Sequence, residues 1–539
     1  MTYVQRKQLV YFLLCCLVPF ILLLTEPISS FAIVTSMSTK SPNSFLQLSR
    51  QYQSIQGLRK IQNLRLSSTR NDQQHIDQHS CKFIKELDGP FTPQLFASSK
   101  CWSFQPLLVR NAFPTSEQQH NRHDNIHGWP TIEDLQFLAS DEDAEVRLIT
   151  HEPGNEESFE LHLGPFAEEE VDQLLSDSDG TKASESPVSK WTLIINDVDR
   201  FLPSLSDWMS STFSFVPTWR RDDGQMSYSN KGGGIGRHVD NYDVFLIQTS
   251  GVKEWRVGKQ FITHHEEMER LIPGIDVRIL RRDHSEKHVD DDEFVLIVNP
   301  GDLLYLPPRV THKGAALTND CGTVSVGCRA PSASDMITQL AEDISMATTG
   351  ASVERYSDPH VVQALVEGGN SIGRGEITEE AKEHARRLIR NAMDEILSND
   401  DVWDEWFGKF VTEAKRIRNS YPVPLSSDGN DEENEWIESL GEWGDPKLAV
   451  QAIVDGKGSL YQAEGIVFAY SKESSSSGGK NRLFVNGECW ETDPAVPVEI
   501  IANERRITKY SFPEGTLGSK TQALLEELLL KGLLYGSDQ

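Results

Sequence analysis

At 539 residues the chain is too long for one ordinary domain and sets an expectation of roughly three or four. A formal charge of −29 argues against a broadly nucleic-acid-binding surface and suits a solvated surface or attraction to a basic partner. Seven cysteines without a CxxC pair argue against a disulfide framework or a zinc site and suit free thiols in a reducing compartment.

In chain order, Arg6 and Lys7 precede an apolar run over residues 9–24, followed by the small residues Ser29 and Ser30. That is the layout of a secretory signal, and the run is short for a membrane span. Residues 27–71 contain no Asp or Glu, while Lys40, Arg50, Arg59, Lys60, Arg65 and Arg70 sit among many Ser, Thr and Gln, the composition of an organelle transit peptide. A signal followed by a transit peptide, with Phe31 near the expected cut, resembles the bipartite presequences of algae whose plastids lie inside extra membranes. Residues 1–70 are therefore expected to be a targeting presequence with a plastid destination, a mitochondrial or secretory address being the alternative. No membrane span is expected in the mature chain.

Residues 80–220 mix short aromatic-rich strands with helical stretches such as 131–139. Segments 114–127 and 176–189 are polar and lack apolar periodicity, so they read as surface insertions. His120, His123 and His127 fall in the first and read as solvated, having no thiolate and no apolar framework to hold a metal. From 225 to 331 the pattern becomes short strands, at 226–229, 243–248, 253–257, 294–298, 302–306 and 323–328, which suits a β-barrel or double-stranded β-helix. Helical periodicity follows at 335–347, 379–397 and 402–417. An acidic linker at 423–436 leads to a tail, 437–539, with a helix near 446–455 and a strand pair at 465–470 and 483–485. A low-complexity loop, 471–480, separates those strands, and a Leu-rich helix at 520–531 follows.

The chemistry-bearing pattern is His238-Val239-Asp240, with His312 seventy-four residues later. Two imidazoles and a carboxylate form the facial triad of non-haem Fe(II) oxygenases, which leaves positions open for a cosubstrate and O₂. In an extended strand, residues 238 and 240 point to one face. His312 follows Pro307-Pro308, a turn that ends the strand 302–306 and aims the histidine back inward. With fifteen histidines in the chain, this spacing alone does not separate a metal site from a chance match. The run Gly232-Gly233-Gly234-Ile235-Gly236 allows a tight turn before His238, and no Lys-Ser/Thr follows to make it a phosphate loop. Lys253 is expected on a strand that runs back beside the first. A lysine aimed into a barrel needs an anion, and the remote carboxylate of 2-oxoglutarate would supply one while its 2-oxo acid end chelates iron. Surface exposure is the other reading of Lys253.

Several longer runs sharpen this. They are Trp219-Arg220-Arg221-Asp222-Asp223, Gly232 through Phe245, Trp255-Arg256-Val257-Gly258, Gly301-Asp302-Leu303-Leu304-Tyr305-Leu306-Pro307-Pro308 and Gly327-Cys328-Arg329-Ala330-Pro331. Together with Tyr356-Ser357-Asp358-Pro359 and Val485-Asn486-Gly487-Glu488, they resemble the JmjC-type cupin oxygenases that hydroxylate ribosomal proteins, above all the bacterial arginine hydroxylases. The resemblance implies an α+β chain. It would hold a double-stranded β-helix (cupin/JmjC barrel) over 80–331, a helical dimerisation region over 332–420 and a winged-helix-like domain over 437–539. It implies iron ligation by His238, Asp240 and His312, and 2-oxoglutarate contacts from Lys253 and Ser227, with Ser229 on the same strand face as Ser227. Lys253 departs from the arginine of the bacterial relatives, and Lys231 stands at a position near the substrate that varies in the family.

The implied activity is Fe(II)- and 2-oxoglutarate-dependent hydroxylation, by O₂, of an arginine on a large-subunit ribosomal protein, by a homodimer. A histidine hydroxylase of the same fold and a catalytically silent JmjC scaffold are the alternatives. A lysine demethylase fits less well, because no histone-reading zinc module is present. Glu438, Glu442, Asp445, Glu526 and Glu527 make the tail a protein-binding rather than a DNA-binding module.

Overall fold

Short β-branched and aromatic segments, punctuated by glycine and proline, pair into two facing sheets over the first part of the chain. The computed structural model describes residues 84–114, 127–152, 158–177, 190–272, 278–281, 293–357, 377–413, 444–472 and 480–537. In chain order the strands of the first part are β1 (Lys85–Asp88), β2 (Leu107–Arg110), β3 (Val146–His151), β4 (Glu160–Leu163), β5 (Lys190–Ile195) and β6 (Arg221–Ser229). They continue with β7 (Asp243–Ser250), β8 (Lys253–Phe261), β9 (Glu293–Val298), β10 (Leu303–Leu306), β11 (Val310–Ala316) and β12 (Cys321–Cys328). One sheet runs β1-β2-β10-β7-β12-β6-β5-β3-β4 and the other β11-β8-β9.

Alternation along the central strands decides what fills each side. Phe245, Ile247, Leu303 and Tyr305 enter a large aromatic core with Phe91, Phe96 and Phe213. Their neighbours Val244, Leu246, Leu304 and Leu306 face the opposite way and meet Trp255, Val257 and Val298 of the second sheet. Buried on both faces, β7 and β10 read as continuous apolar runs rather than as alternating ones.

The helix Asp400–Thr412 lies against three strands, β14 (Phe468–Lys472), β15 (Asn481–Val485) and β16 (Glu488–Thr492), which follow β13 (Ser459–Gln462). Strands β17 (Arg506–Ile507) and β18 (Leu534–Ser537) pair on either side of β13. With the helices Pro446–Asp455, Val498–Asn503 and Ser519–Leu530, these strands enclose a core of their own. The helix Pro446–Asp455 begins where Asp445 accepts from the Lys447 and Leu448 amides and ends at Gly456 in the left-handed region.

The expected helices at 335–347, 379–397, 446–455 and 520–531 are present as Ala333–Met346, Glu379–Leu397, Pro446–Asp455 and Ser519–Leu530. The helix expected over 402–417 is described as Asp400–Thr412. Three expectations need correction. Val310–Ala316 is a strand rather than a turn product, because Arg309 takes φ 68° and reverses the chain into a new pairing. The strand pair expected in the tail is part of a three-stranded sheet, in a tail of six described strands, since Asn486 and Gly487, both at positive φ, make a tight turn into β16. His127 is half-buried and stacks on Trp129 at 4.5 Å, with Phe113 at 5.8 Å, because two aromatic side chains form a slot for it. His120, His123, the presequence 1–70, the linker 423–436 and most of the 114–127, 176–189 and 471–480 segments lie outside the described residues. Among the described residues no helix is long and apolar enough to cross a membrane.

Candidate active site

The chain leaves β6 through the glycine run and reaches the free edge of β11. Gly236 takes φ 85°, and a side chain on Gly234 would collide with the Gly314 carbonyl, so glycine lets the two segments approach. His238 then exchanges both backbone hydrogen bonds with His312, at 3.0 and 2.9 Å, and the Arg309 amide donates to the Asp240 carbonyl at 2.8 Å. Residues 238–240 thus run as a short extended segment beside β11 rather than as a strand of the main sheet.

That pairing brings one ligand atom from each of His238, Asp240 and His312 within 4.8 Å of the others. His312 Nε2 lies 3.5 Å from an Asp240 carboxylate oxygen. The His238 Nδ1 faces the Gly236 carbonyl at 3.1 Å, and the His312 Nδ1 faces the Val310 carbonyl at 3.1 Å. Each imidazole donating Nδ1–H two residues back leaves its Nε2 lone pair directed at the centre of the trio. Burial, then the neighbouring His238, lowers the His312 pKa and keeps the ring neutral. Burial also raises the Asp240 pKa, against the pull of His238. Two imidazoles beside a poorly solvated carboxylate suit a divalent cation, which would offset the carboxylate's desolvation.

Around the trio, Glu267 is 1% exposed and receives the Arg309 guanidinium at 2.5 Å and the Arg278 Nε at 2.8 Å. Burial opposes its ionisation, but the two guanidiniums hold it below the usual carboxylate range. Arg309 also donates to Asn241 at 2.8 Å, so one side chain ties the β11 turn to the segment carrying Asp240.

Lys253 occupies a different position from the one expected. Its strand, β8, pairs with β11 in the second sheet and not with β7, because the tight turn at Gly251 swings the chain across to the facing layer. The register sets His312 opposite Val257, Gly314 opposite Trp255 and Ala316 opposite Lys253. Lys253 therefore lies about 13 Å along the strand from the metal trio's level. It is 5% exposed, with its Nζ 3.0 Å from Thr323 Oγ1, 3.5 Å from Ser227 Oγ and 5.1 Å from the Trp255 ring centre. Among the described residues no carboxylate pairs with it, and burial lowers its pKa.

Both groups open into one cavity of about 170 Å³, well above the roughly 30 Å³ that a water molecule occupies. His238, Asp240, His312, Lys253 and Ser227 all line it, as do Asp223, Tyr242, Trp255, Thr192 and Thr323. Ser229 does not; its hydroxyl bonds Thr192 at 2.9 Å. The Tyr242 hydroxyl is held protonated by the nearby Asp240 carboxylate, then by burial. Thr323 and Tyr242 were not singled out from sequence, since a lone threonine or tyrosine in a strand carries no signal of its own. The two-residue alternation of Thr323 and Ser325, opposite that of Ser227 and Gln225, was the available clue.

The JmjC domain family matches residues 209–336, the span that carries every one of the proposed ligands. The chain carries a JmjC domain. Over 251 residues, 47% of this chain and 53% of the relative, it is 32% identical to a probable ribosomal oxygenase of Haemophilus influenzae, so the match spans about half of that protein. It is also 29% identical over 314 residues to the ribosomal protein uL16 3-hydroxylase of Escherichia coli, covering 58% of this chain and 70% of that one. Its fold matches the E. coli ribosomal oxygenase YcfD in complex with cobalt and 2-oxoglutarate. The TM-score is 0.56 and the identity 21%, over 83% of this chain and 98% of YcfD. The two facing sheets are thus a JmjC cupin barrel.

Proposed function

We propose that the chain is an Fe(II)- and 2-oxoglutarate-dependent oxygenase that hydroxylates an arginine of a large-subunit ribosomal protein. The observation that carries this reading is the presence, in one cavity, of three convergent metal-ligand atoms and a buried ammonium with no counter-ion among the described residues. His238, Asp240 and His312 would hold the metal on one face, and Lys253 and Ser227 would hold the remote carboxylate of 2-oxoglutarate. When bound, iron and 2-oxoglutarate supply the activation of O₂ that places an oxygen atom on a substrate C–H bond. Val244, Leu246 and Trp255 give the cavity an apolar wall, and the protonated Tyr242 offers a neutral hydroxyl beside Asp240.

Support for the substrate comes from the names of the two relatives and from charge. A chain of formal charge −29 attracts a basic ribosomal protein, and Asp223 on the cavity wall suits a cationic side chain. The helix Glu379–Leu397 buries none of its residues and leaves Ile389 64% exposed, which supports pairing with a second copy. The 437–539 module is read as winged-helix-like and protein-binding, and the presequence as a plastid address.

The test is purified full-length chain with Fe(II), 2-oxoglutarate, O₂ and large-subunit ribosomal proteins, followed by succinate release and intact-protein mass. A one-oxygen gain on an arginine is the expected outcome. His312→Ala should lower turnover by more than the roughly 10–100-fold typical of losing a ligand's outer partner. Oxygen on a histidine would move the assignment to the histidine hydroxylases, and no succinate at all would leave a silent scaffold.

A further inference from the structure

We infer that Gln248 is a positioning residue for the cosubstrate's anchor, fixing the Thr323 hydroxyl as an acceptor for Lys253. The inference rests on reading Lys253 as the partner of the 2-oxoglutarate carboxylate, and it adds a residue that does not line the cavity.

The argument starts from register. Thr323, on β12, stands opposite Ser227 of β6 on one side and opposite Gln248 of β7 on the other. The pairing with β7 slips at this point: Gly322 faces Ser250 while Thr323 faces Gln248, so Thr249 is the extra residue of a β-bulge. Bulges re-aim side chains beside functional sites, and here the bulge puts three polar residues in one cross-strand row. Gln248 and Thr323 are each 1% exposed, so each polar atom needs a partner within the protein.

The direction of every hydrogen bond in the row follows. Gln248 Nε2 donates to the Ser250 carbonyl at 2.7 Å and approaches the Gly251 carbonyl at 3.4 Å and Cys321 Sγ at 3.3 Å. That fixes the amide with its Oε1 turned to Thr323 Oγ1, 3.2 Å away. Oε1 only accepts, so the single Thr323 proton goes to Gln248. The ammonium only donates, so Lys253 gives a hydrogen to the Thr323 oxygen at 3.0 Å. No other arrangement satisfies all three groups. The Gln248 backbone is pinned in turn, its carbonyl accepting from the Gly301 amide at 2.8 Å and its amide donating to Asp302 at 3.1 Å. A lysine stem is flexible where an arginine fork is pre-organised, so a lysine at this position depends on such an acceptor to stay in place. With Thr323 and Ser227 each engaging one hydrogen, the third is left for an anion.

The experiment is anaerobic calorimetric titration of 2-oxoglutarate into the Fe(II)-loaded full-length chain, which reads binding without turnover. Thr323→Val and Gln248→Met should each weaken binding roughly tenfold. The double variant should bind no more weakly than Thr323→Val alone, because both changes cut one chain of hydrogen bonds. Thr323→Ser, which keeps the hydroxyl, should bind like the parent. If Gln248→Met does not fold, Gln248→Asn withdraws the same oxygen and serves in its place. Parent-like affinity in the Gln248 variant, or losses that add in the double variant, overturns the inference while leaving the oxygenase reading intact. A parent chain that binds iron but no 2-oxoglutarate overturns both.

Discussion

Lys253 in the barrel and Arg482 on β15 are both nearly excluded from water, at 5% and 2% exposure, yet their surroundings differ. Arg482 pairs with Asp401, from the helix packed against its sheet, and with Glu491 on the next strand at 3.3 Å. Lys253 meets hydroxyls and an aromatic face, and among the described residues no carboxylate pairs with it. A cation buried to hold a structure together brings its counter-ions with it. One buried in a cavity wall without them leaves folding with an unmet charge, which a bound anion can satisfy.

The largest expected effect follows from removing that unmet charge. Lys253→Met should weaken 2-oxoglutarate binding roughly 100-fold, since a charge-assisted pair is lost. It should also raise the thermal stability of the ligand-free chain, by on the order of 1 kcal/mol. The sign follows from the depressed pKa: below it, folding buries an ammonium that the unfolded chain leaves in water. The parent recovers that loss as pH rises from the depressed value toward the ordinary 10.5, so the variant's advantage narrows at alkaline pH. Calorimetric melting of both chains across pH checks this, and a destabilised Lys253→Met at neutral pH would erase the contrast.

Arg482→Met should behave in the opposite way. Its partners Asp401 and Glu491 are 63% and 44% exposed and return to water when the arginine goes. The loss is therefore the charged hydrogen bonds alone, about 2 kcal/mol by chemical denaturation. Cosubstrate affinity of the folded fraction should not change. A fall in affinity would show that the C-terminal sheet reaches the catalytic cavity and that the two cations are not separate cases.

Much of the barrel was legible because its determinants are local. Gly232 to Gly236 announce a turn, His238 and Asp240 are two residues apart, and the strands 243–248 and 302–306 carry continuous apolar runs. The charge of a lysine aimed into a barrel hinted at an anion, while Ser227 entered only through the family resemblance. What could not be read was pairing across distance. Nothing in the residues near Lys253 says that β8 joins β11 in the facing sheet, and nothing near Gln248 says that a bulge sets it beside Thr323. The strand Val310–Ala316 was hidden for a related reason. Two prolines look like an ending, and only the positive φ of Arg309 turns that ending into the start of the strand that carries His312.

The smallest effect tests how tightly the lysine is held. Gly314 faces Trp255 across the β8–β11 pairing, and a Cβ there would stand 2.9 Å from Lys253 Cε and 3.1 Å from the Trp255 ring. The nearest atom belongs to a flexible stem, so the lysine gives way rather than the backbone. Gly314 has an ordinary negative φ, unlike Gly232 or Gly236, and alanine also narrows the unfolded ensemble by about 0.5 kcal/mol. Gly314→Ala should therefore leave the melting temperature close to the parent's while weakening 2-oxoglutarate binding about fivefold, because Nζ is displaced from the oxygen of Thr323. A large drop in stability would mean the strand, not the lysine, absorbs the methyl group. Parent-like affinity would mean that Lys253 binds from more than one position, and the difference between a placed cation and a merely buried one would lose its force.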